Sequence, residues 1–167
     1  MNCNKYFFIG VGGIGMSSIA NYLLDNRNSV LGYDRSSNKL IEKLINHGLK
    51  FTNKLDLELI PEEFLNDDVI VIYTPAVKKD NIFLDFFLNK KVNKILKRSE
   101  ILGQITSESK CIAIAGTHGK TSTSAILSHL LYFNKVKFKS FVGGIMKGFD
   151  TNYLNTGDEY VVVEADE

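Results

Sequence analysis

Apolar residues fall into short runs, and the spacing inside each run separates strands from helices. Residues 6–9, 30–33 and 69–73 are largely apolar stretches bounded by polar residues or glycine. Each run predicts a strand, and the one at 69–73 is expected to be buried on both faces, as parallel sheets require. Residues 49–51 and 94–96 predict two further short strands. Between the strands the period changes. Residues 16–24 read as a helix, and residues 38–46 place Leu40, Ile41, Leu44 and Ile45 on one helical face, ended by His47 and Gly48. Residues 61–65 predict a helical turn, 80–88 a phenylalanine-rich helix, and 99–105 a helix with Arg98 at its start.

The pattern resumes after a polar stretch, Thr106 to Lys110, which has no apolar face and reads as a linker. Residues 111–115 predict a buried strand and 116–119 a glycine-containing break. Residues 120–133 predict a helix with Ala125, Ile126, Leu127, Leu130 and Leu131 at three-to-four-residue spacing. A strand at 138–142 meets Gly143 and Gly144, residues 147–159 look like loop, and a strand at 160–163 ends in Glu164-Ala165-Asp166-Glu167. The fold class expected is α/β. Residues 1–105 form a Rossmann-like domain with a parallel sheet, 106–110 link it onward, and 111–167 open a phosphate-loop ATPase domain that is incomplete.

Composition narrows the function classes. The chain has 167 residues, 44% hydrophobic and 23% charged, which are ordinary globular values. A net charge of +1 gives no footing for nucleic-acid or membrane-surface binding. No apolar run approaches the roughly 18–20 residues needed to span a bilayer. Glycine interrupts the N-terminal apolar run too soon for a signal peptide, so a cytoplasmic location is expected. Cys3 and Cys111 have no metal-type spacing and are expected as free, buried thiols. Of the histidines, His47 reads as a helix end and His129 as structural, while His118 sits inside a candidate site.

Two glycine loops carry the chemistry. Gly10-Val11-Gly12-Gly13-Ile14-Gly15 follows the first strand and opens a helix, and Asp34 ends the second strand. That is the dinucleotide fingerprint, with a helix N-terminus for a pyrophosphate and an acid for ribose hydroxyls. The bland alternative is that the glycines serve only helix-on-strand packing. The second loop, Gly116-Thr117-His118-Gly119-Lys120-Thr121-Ser122, joins strand to helix as a phosphate loop does. Its N–H groups can converge on phosphate oxygens, Lys120 adds a full charge, and the Thr121 hydroxyl suits Mg²⁺. The general motif wants glycine at 114, where this chain has Ile114. A solvated turn lysine is the alternative. Acids ending a later strand are where an Mg²⁺ or water-activating carboxylate belongs, or they simply face solvent. Thr74 and Pro75 lie at a strand's C-terminal end, where ligands bind in open parallel sheets, but on the residues alone they read first as an ordinary turn. A cation at a helix start is unfavourable for the dipole, so Arg98 meets an anion or lies solvated on the surface.

The wording and order of these segments resemble the Mur ligases of peptidoglycan synthesis. The resemblance rests on residues 8–17, 115–121 and 163–167, with weaker matches at 74–77, 98–102 and 142–144. It is nearest to the member that adds L-alanine. It implies a UDP-binding N-terminal domain, a central ATPase domain and a third domain, of which this chain holds the first and the opening of the second. The implied cofactors are ATP and Mg²⁺, and the implied substrates are UDP-N-acetylmuramate and L-alanine, joined through an acyl phosphate. Lys120 would hold the ATP phosphates with Gly116, Thr117, His118, Gly119, Thr121 and Ser122. Thr121 and Glu164 would ligand Mg²⁺, making Lys120, Thr121 and Glu164 the catalytic set. Gly12, Gly13, Ile14 and Gly15, with Asp34, Thr74 and Arg98, would bind the UDP substrate. Thr74-Pro75 stands where many members have two serines, and proline has no N–H to offer.

Two other classes compete. An NAD-dependent oxidoreductase would use the first loop and leave the second unexplained. A non-catalytic UDP-sugar-binding module would use the first loop alone. Comparative titration with uridine and nicotinamide nucleotides separates them.

Overall fold

The computed structural model describes residues 4–78, 80–90 and 94–165. It divides into two compact units, one through Ile101 and one from Leu102 onward.

In the first unit five parallel strands form one sheet: β1 (Lys5–Ile9), β2 (Ser29–Tyr33), β3 (Lys50–Thr52), β4 (Ile70–Tyr73) and β5 (Lys94–Lys97). Their order is β3-β2-β1-β4-β5. The chain starts in the middle, steps outward twice, then crosses to the other side of β1. That reversal opens a crevice beyond the C-terminal ends of β1 and β4, where ligands bind in folds of this kind. Strand alternation fills both faces. Phe7, Ile9, Leu31, Tyr33 and Val71 pack with Phe64, Phe83 and Phe87, while Phe8, Val30 and Ile72 are buried on the opposite side. Phe83 meets Phe7 edge-on at 5.3 Å between ring centroids and Tyr33 at 5.0 Å.

The helices start where local chemistry allows. α1 (Ile14–Asp25) begins after Gly13 with no side-chain cap. Asn38 caps α2 (Lys39–Asn46) by accepting from the Ile41 N–H, and Asn81 accepts from Phe83 and Leu84 at the start of α3 (Ile82–Lys90). The expected turn at 61–65 is a 3-10 turn, Glu62–Phe64, preceded by another at Leu57–Leu59. His47 bonds Asn21 and Asp25, in keeping with a role at a helix end.

The second unit has a four-stranded sheet of order β6-β9-β7-β8, made of β6 (Lys110–Ile114), β7 (Phe138–Met146), β8 (Thr151–Asn155) and β9 (Tyr160–Glu164). β6, β9 and β7 run parallel, and β8 returns antiparallel to β7. The helix at 120–133 has the expected bounds, α5 (Lys120–Phe133).

Four expectations need correction. The stretch 147–159 is not all loop, because β7 continues through both glycines to Met146 and turns at Gly148 and Asp150, both with positive φ, into β8. The linker at 106–110 is mostly ordered, since α4 (Arg98–Ser107) takes its first residues and β6 its last. Ser124 and Ser128 are the buried residues of α5, whereas Ile126, Leu130 and Phe133 are exposed, at 62%, 57% and 71%. Small side chains let the helix lie close to the sheet, and the larger apolar face points elsewhere. Cys111 is exposed rather than buried, because β6 is the edge strand of its sheet. Partial burial nonetheless pushes its thiol pKa up. Cys3 lies outside the described residues.

Candidate functional site

Each unit carries one candidate site at the C-terminal ends of its parallel strands. In the first unit a cavity of about 460 Å³ opens at the strand-order reversal. Gly10, Gly13, Gly15, Asp34, Thr74 and Arg98 line it, so most of the predicted UDP-site residues meet there. Arg35, Lys78 and Asn81 line it too and were not foreseen. Nothing in a lysine or arginine codon by codon marks it as cavity-facing; only the closing of the βαβ units does.

Arg98 is the most informative of these residues. A Cβ built on Gly15 would lie 2.2 Å from Arg98 Nη1 and 3.1 Å from its Cδ. Glycine at 15 therefore makes room for a guanidinium against the first turn of α1. An uncapped helix N-terminus and an arginine, both positive, stand together at the cavity wall. A bidentate planar donor beside backbone N–H groups suits a phosphate or diphosphate.

Gly12 and Ile14 take different places from those expected. The Gly12 N–H donates to Asp34 Oδ2 at 2.8 Å, and its carbonyl accepts from Asn38 Nδ2 at 3.1 Å. A Cβ at Gly12 would sit 2.9 Å from that carboxylate oxygen. The Gly12 N–H is thus committed inside the loop, and Asp34 serves first to hold the loop in shape. Its other oxygen accepts from the Ser36 N–H at 3.4 Å. Ile14 is 38% exposed and does not line the cavity. Thr74 closes a turn, accepting from Val77 N–H through its carbonyl and from Ala76 N–H through its hydroxyl.

In the second unit the loop between β6 and α5 is exposed from Gly116 to Gly119, His118 included. Gly116 has φ +149° and Gly119 φ +79°, so backbone geometry demands glycine at both. Ile114 departs from the general motif because the chain is still strand there. It pairs with Glu164 in register, and its carbonyl accepts from the Ala165 N–H. Lys120 Nζ donates to the Gly116 carbonyl at 2.9 Å, folded over its own loop. The α5 N-terminus has no side-chain cap, and Ser122 lies exposed on its first turn.

Glu164, at the end of β9, gathers the rest. Its Oε2 accepts from Thr121 Oγ1 at 3.0 Å, and its Oε1 from Ser124 Oγ at 3.0 Å and the Gly143 N–H at 2.7 Å. Thr121 and Glu164 thus offer two hard oxygen donors side by side. Among the described residues there is no cluster of three or more His, Cys, Asp or Glu able to cage a metal. One hydroxyl and one carboxylate fit Mg²⁺ of the kind completed by nucleotide phosphates and water. Ser124 and Gly143 are absent from the predicted set. The signals were a serine one helical turn beyond Thr121 and a glycine pair on a strand. Asp166 and Glu167 lie outside the described residues.

Elsewhere, His129 stacks near Phe149 and Phe133, at 4.5 and 5.7 Å between centroids, as a structural histidine does. No helix among the described residues is long and apolar enough to cross a membrane.

Comparison with known proteins yields consistent matches. Residues 5–110 match the Mur ligase family, catalytic domain. The chain is 46% identical to UDP-N-acetylmuramate–L-alanine ligase of Christiangramia forsetii, over 97% of this chain and 36% of that protein. It is 41% identical to the enzyme of that name from Flavobacterium psychrophilum, over 100% of this chain and 38% of that one. The crystal structure of UDP-N-acetylmuramate–alanine ligase from Thermotoga maritima superposes with a TM-score of 0.84 at 31% identity, covering 97% of this chain and 37% of that chain. The chain spans just over a third of the length of the curated relatives it matches.

Proposed function

Because the chain belongs to the Mur ligase family, we propose that it carries the uridine-nucleotide site and the phosphate loop of an ATP-dependent ligase joining L-alanine to UDP-N-acetylmuramate. In that reaction the muramyl carboxylate would take the terminal phosphoryl group of ATP, with ADP leaving, and the amine of L-alanine would then displace phosphate from the acyl phosphate; Lys120 would hold the ATP phosphates, and Thr121 with Glu164 the Mg²⁺. The observation that carries the reading is the Thr121 hydroxyl 3.0 Å from the Glu164 carboxylate at the mouth of the Gly116–Thr121 loop. Lys120 then supplies charge to the ATP phosphates, with backbone N–H groups of Gly119 to Ser122 beside it. Such catalysis is mainly positioning and neutralisation of charge.

In the first unit the diphosphate of the UDP substrate lies against Gly13, Gly15 and Arg98. Gly12 and Asp34 shape the loop beneath it. An amide ligase of this kind needs both substrates held in near-attack geometry. A cytoplasmic location follows from the substrates, which are soluble nucleotides and amino acids.

The test is a titration of the chain with UDP-N-acetylmuramate, UDP and NAD, followed by the amide resonances of Gly13 and Gly15. Saturation by the uridine ligands at lower concentration than NAD supports the proposal. Tighter NAD binding would move the first unit to the oxidoreductases.

A further inference from the structure

Three elements, α5, β7 and β9, converge on one carboxylate, and its two oxygens are not equivalent. Glu164 Oε1 accepts two hydrogen bonds from the protein, one from the exposed Gly143 N–H and one from the buried Ser124 hydroxyl. Oε2 is turned to Thr121. Ser124 is wholly buried, so its hydroxyl needs a partner. It lies 3.0 Å from the Thr121 carbonyl as well as from Oε1. Of a neutral and a charged acceptor, the carboxylate makes the stronger bond.

The glycine pair has a steric reason. A Cβ at Gly143 would lie 2.7 Å from Glu164 Oε2 and 3.1 Å from Oε1, and one at Gly144 would lie 3.0 Å from Thr121 Cγ2. Neither glycine has positive φ, so it is space that they provide, not an unusual backbone conformation. What a methyl at 143 would strike is the far end of a flexible side chain. The carboxylate can swing away at little cost to the fold, but it then leaves Thr121.

We propose that Ser124 and Gly143 are positioning residues, which hold Glu164 Oε1 so that Oε2 stands beside Thr121 ready for a divalent cation bound with a nucleotide. The inference rests on the phosphate-loop reading above. Groups that orient a metal ligand typically contribute about 10–100-fold to metal affinity.

The experiment uses Mn²⁺ as the probe. Free Mn²⁺ is counted by electron paramagnetic resonance during titration of the chain with ADP present, in wild type, Ser124→Ala and Gly143→Ala. ADP affinity without metal and the thermal midpoint are measured alongside. Both variants are expected to weaken Mn²⁺ binding about tenfold or more, with metal-free ADP affinity unchanged. Gly143→Ala should keep the wild-type melting behaviour, which separates lost positioning from lost folding. In metal-free protein the backbone amide resonance of Gly143 should move in Ser124→Ala. Wild-type Mn²⁺ affinity in both variants would overturn the assignment, even if the Gly143 resonance moved. Wild-type protein that binds neither ADP nor Mn²⁺ would overturn the phosphate-loop reading, and this inference with it.

Discussion

Replacing Gly15 with alanine should separate binding from stability in the first unit. The added methyl would stand 2.2 Å from Arg98 Nη1, far inside any real contact, so the guanidinium must leave the first turn of α1. Moving the tip of a flexible side chain costs the fold little. Alanine is also the better helix former, by up to about 1 kcal/mol. The melting midpoint should therefore hold or rise. Binding of UDP should fall, because one charge-assisted contact to the diphosphate is lost. Such a bond contributes about 1.5–3 kcal/mol, and Arg98 is only half-buried, so solvent screening favours the lower end. That corresponds to roughly a tenfold rise in dissociation constant. Calorimetry with UDP on wild type, Gly15→Ala, Arg98→Ala and the double variant gives a complete cycle. The double variant should bind no worse than Arg98→Ala alone, since both changes remove one interaction. Wild-type affinity in Gly15→Ala, or additive losses in the double variant, would refute the placement of the diphosphate.

Lys120→Ala should abolish ATP binding measured by calorimetry while leaving UDP binding intact, since the two ligands use different loops; equal ATP affinity in the variant would contradict the assignment. Phe83→Ala should lower unfolding free energy by about 3–5 kcal/mol in a urea titration, because Phe83 is wholly buried between Phe7 and Tyr33. A loss under about 1 kcal/mol would mean the aromatic cluster is not the core it looks to be. The Lys50 ammonium, bonded to the Glu63 carboxylate, holds that acid below its usual pKa. A lowered folded-state pKa contributes stability above the unfolded carboxylate value and loses it as pH falls through the folded value. Glu63→Gln should therefore flatten stability against pH in the acid range and leave it unchanged in slope near neutrality, as followed by thermal melts from acid to neutral pH.

Local chemistry alone determined much of this protein. Apolar runs without alternation specified the parallel strands, because a strand covered on both faces is apolar throughout, and the three-to-four-residue period specified α2 and the bounds of α5, whose backbone hydrogen bonds close within the helix. The two glycine loops were legible because a loop that must take positive φ, as at Gly116 and Gly119, leaves glycine in the sequence. What escaped reading was set by distance along the chain. β8 exists because it pairs with β7, and nothing in Thr-Asn-Tyr-Leu-Asn alone demands a strand. The two faces of α5 are both partly apolar by composition, and the sheet chose the serine side because small residues permit close approach. Gly12 reads as a phosphate ligand until Asp34 takes its N–H. Gly15 reads as part of a phosphate loop, but that it also makes room for Arg98, as Gly143 does for Glu164, is visible only in the fold. Ser124 and Glu164 are 40 residues apart, and only the parallel pairing of β6, β9 and β7 brings the end of one strand under the first turn of α5. Sequence carries the groups that do the chemistry, while the tertiary fold decides which of them hold ligand and which hold each other.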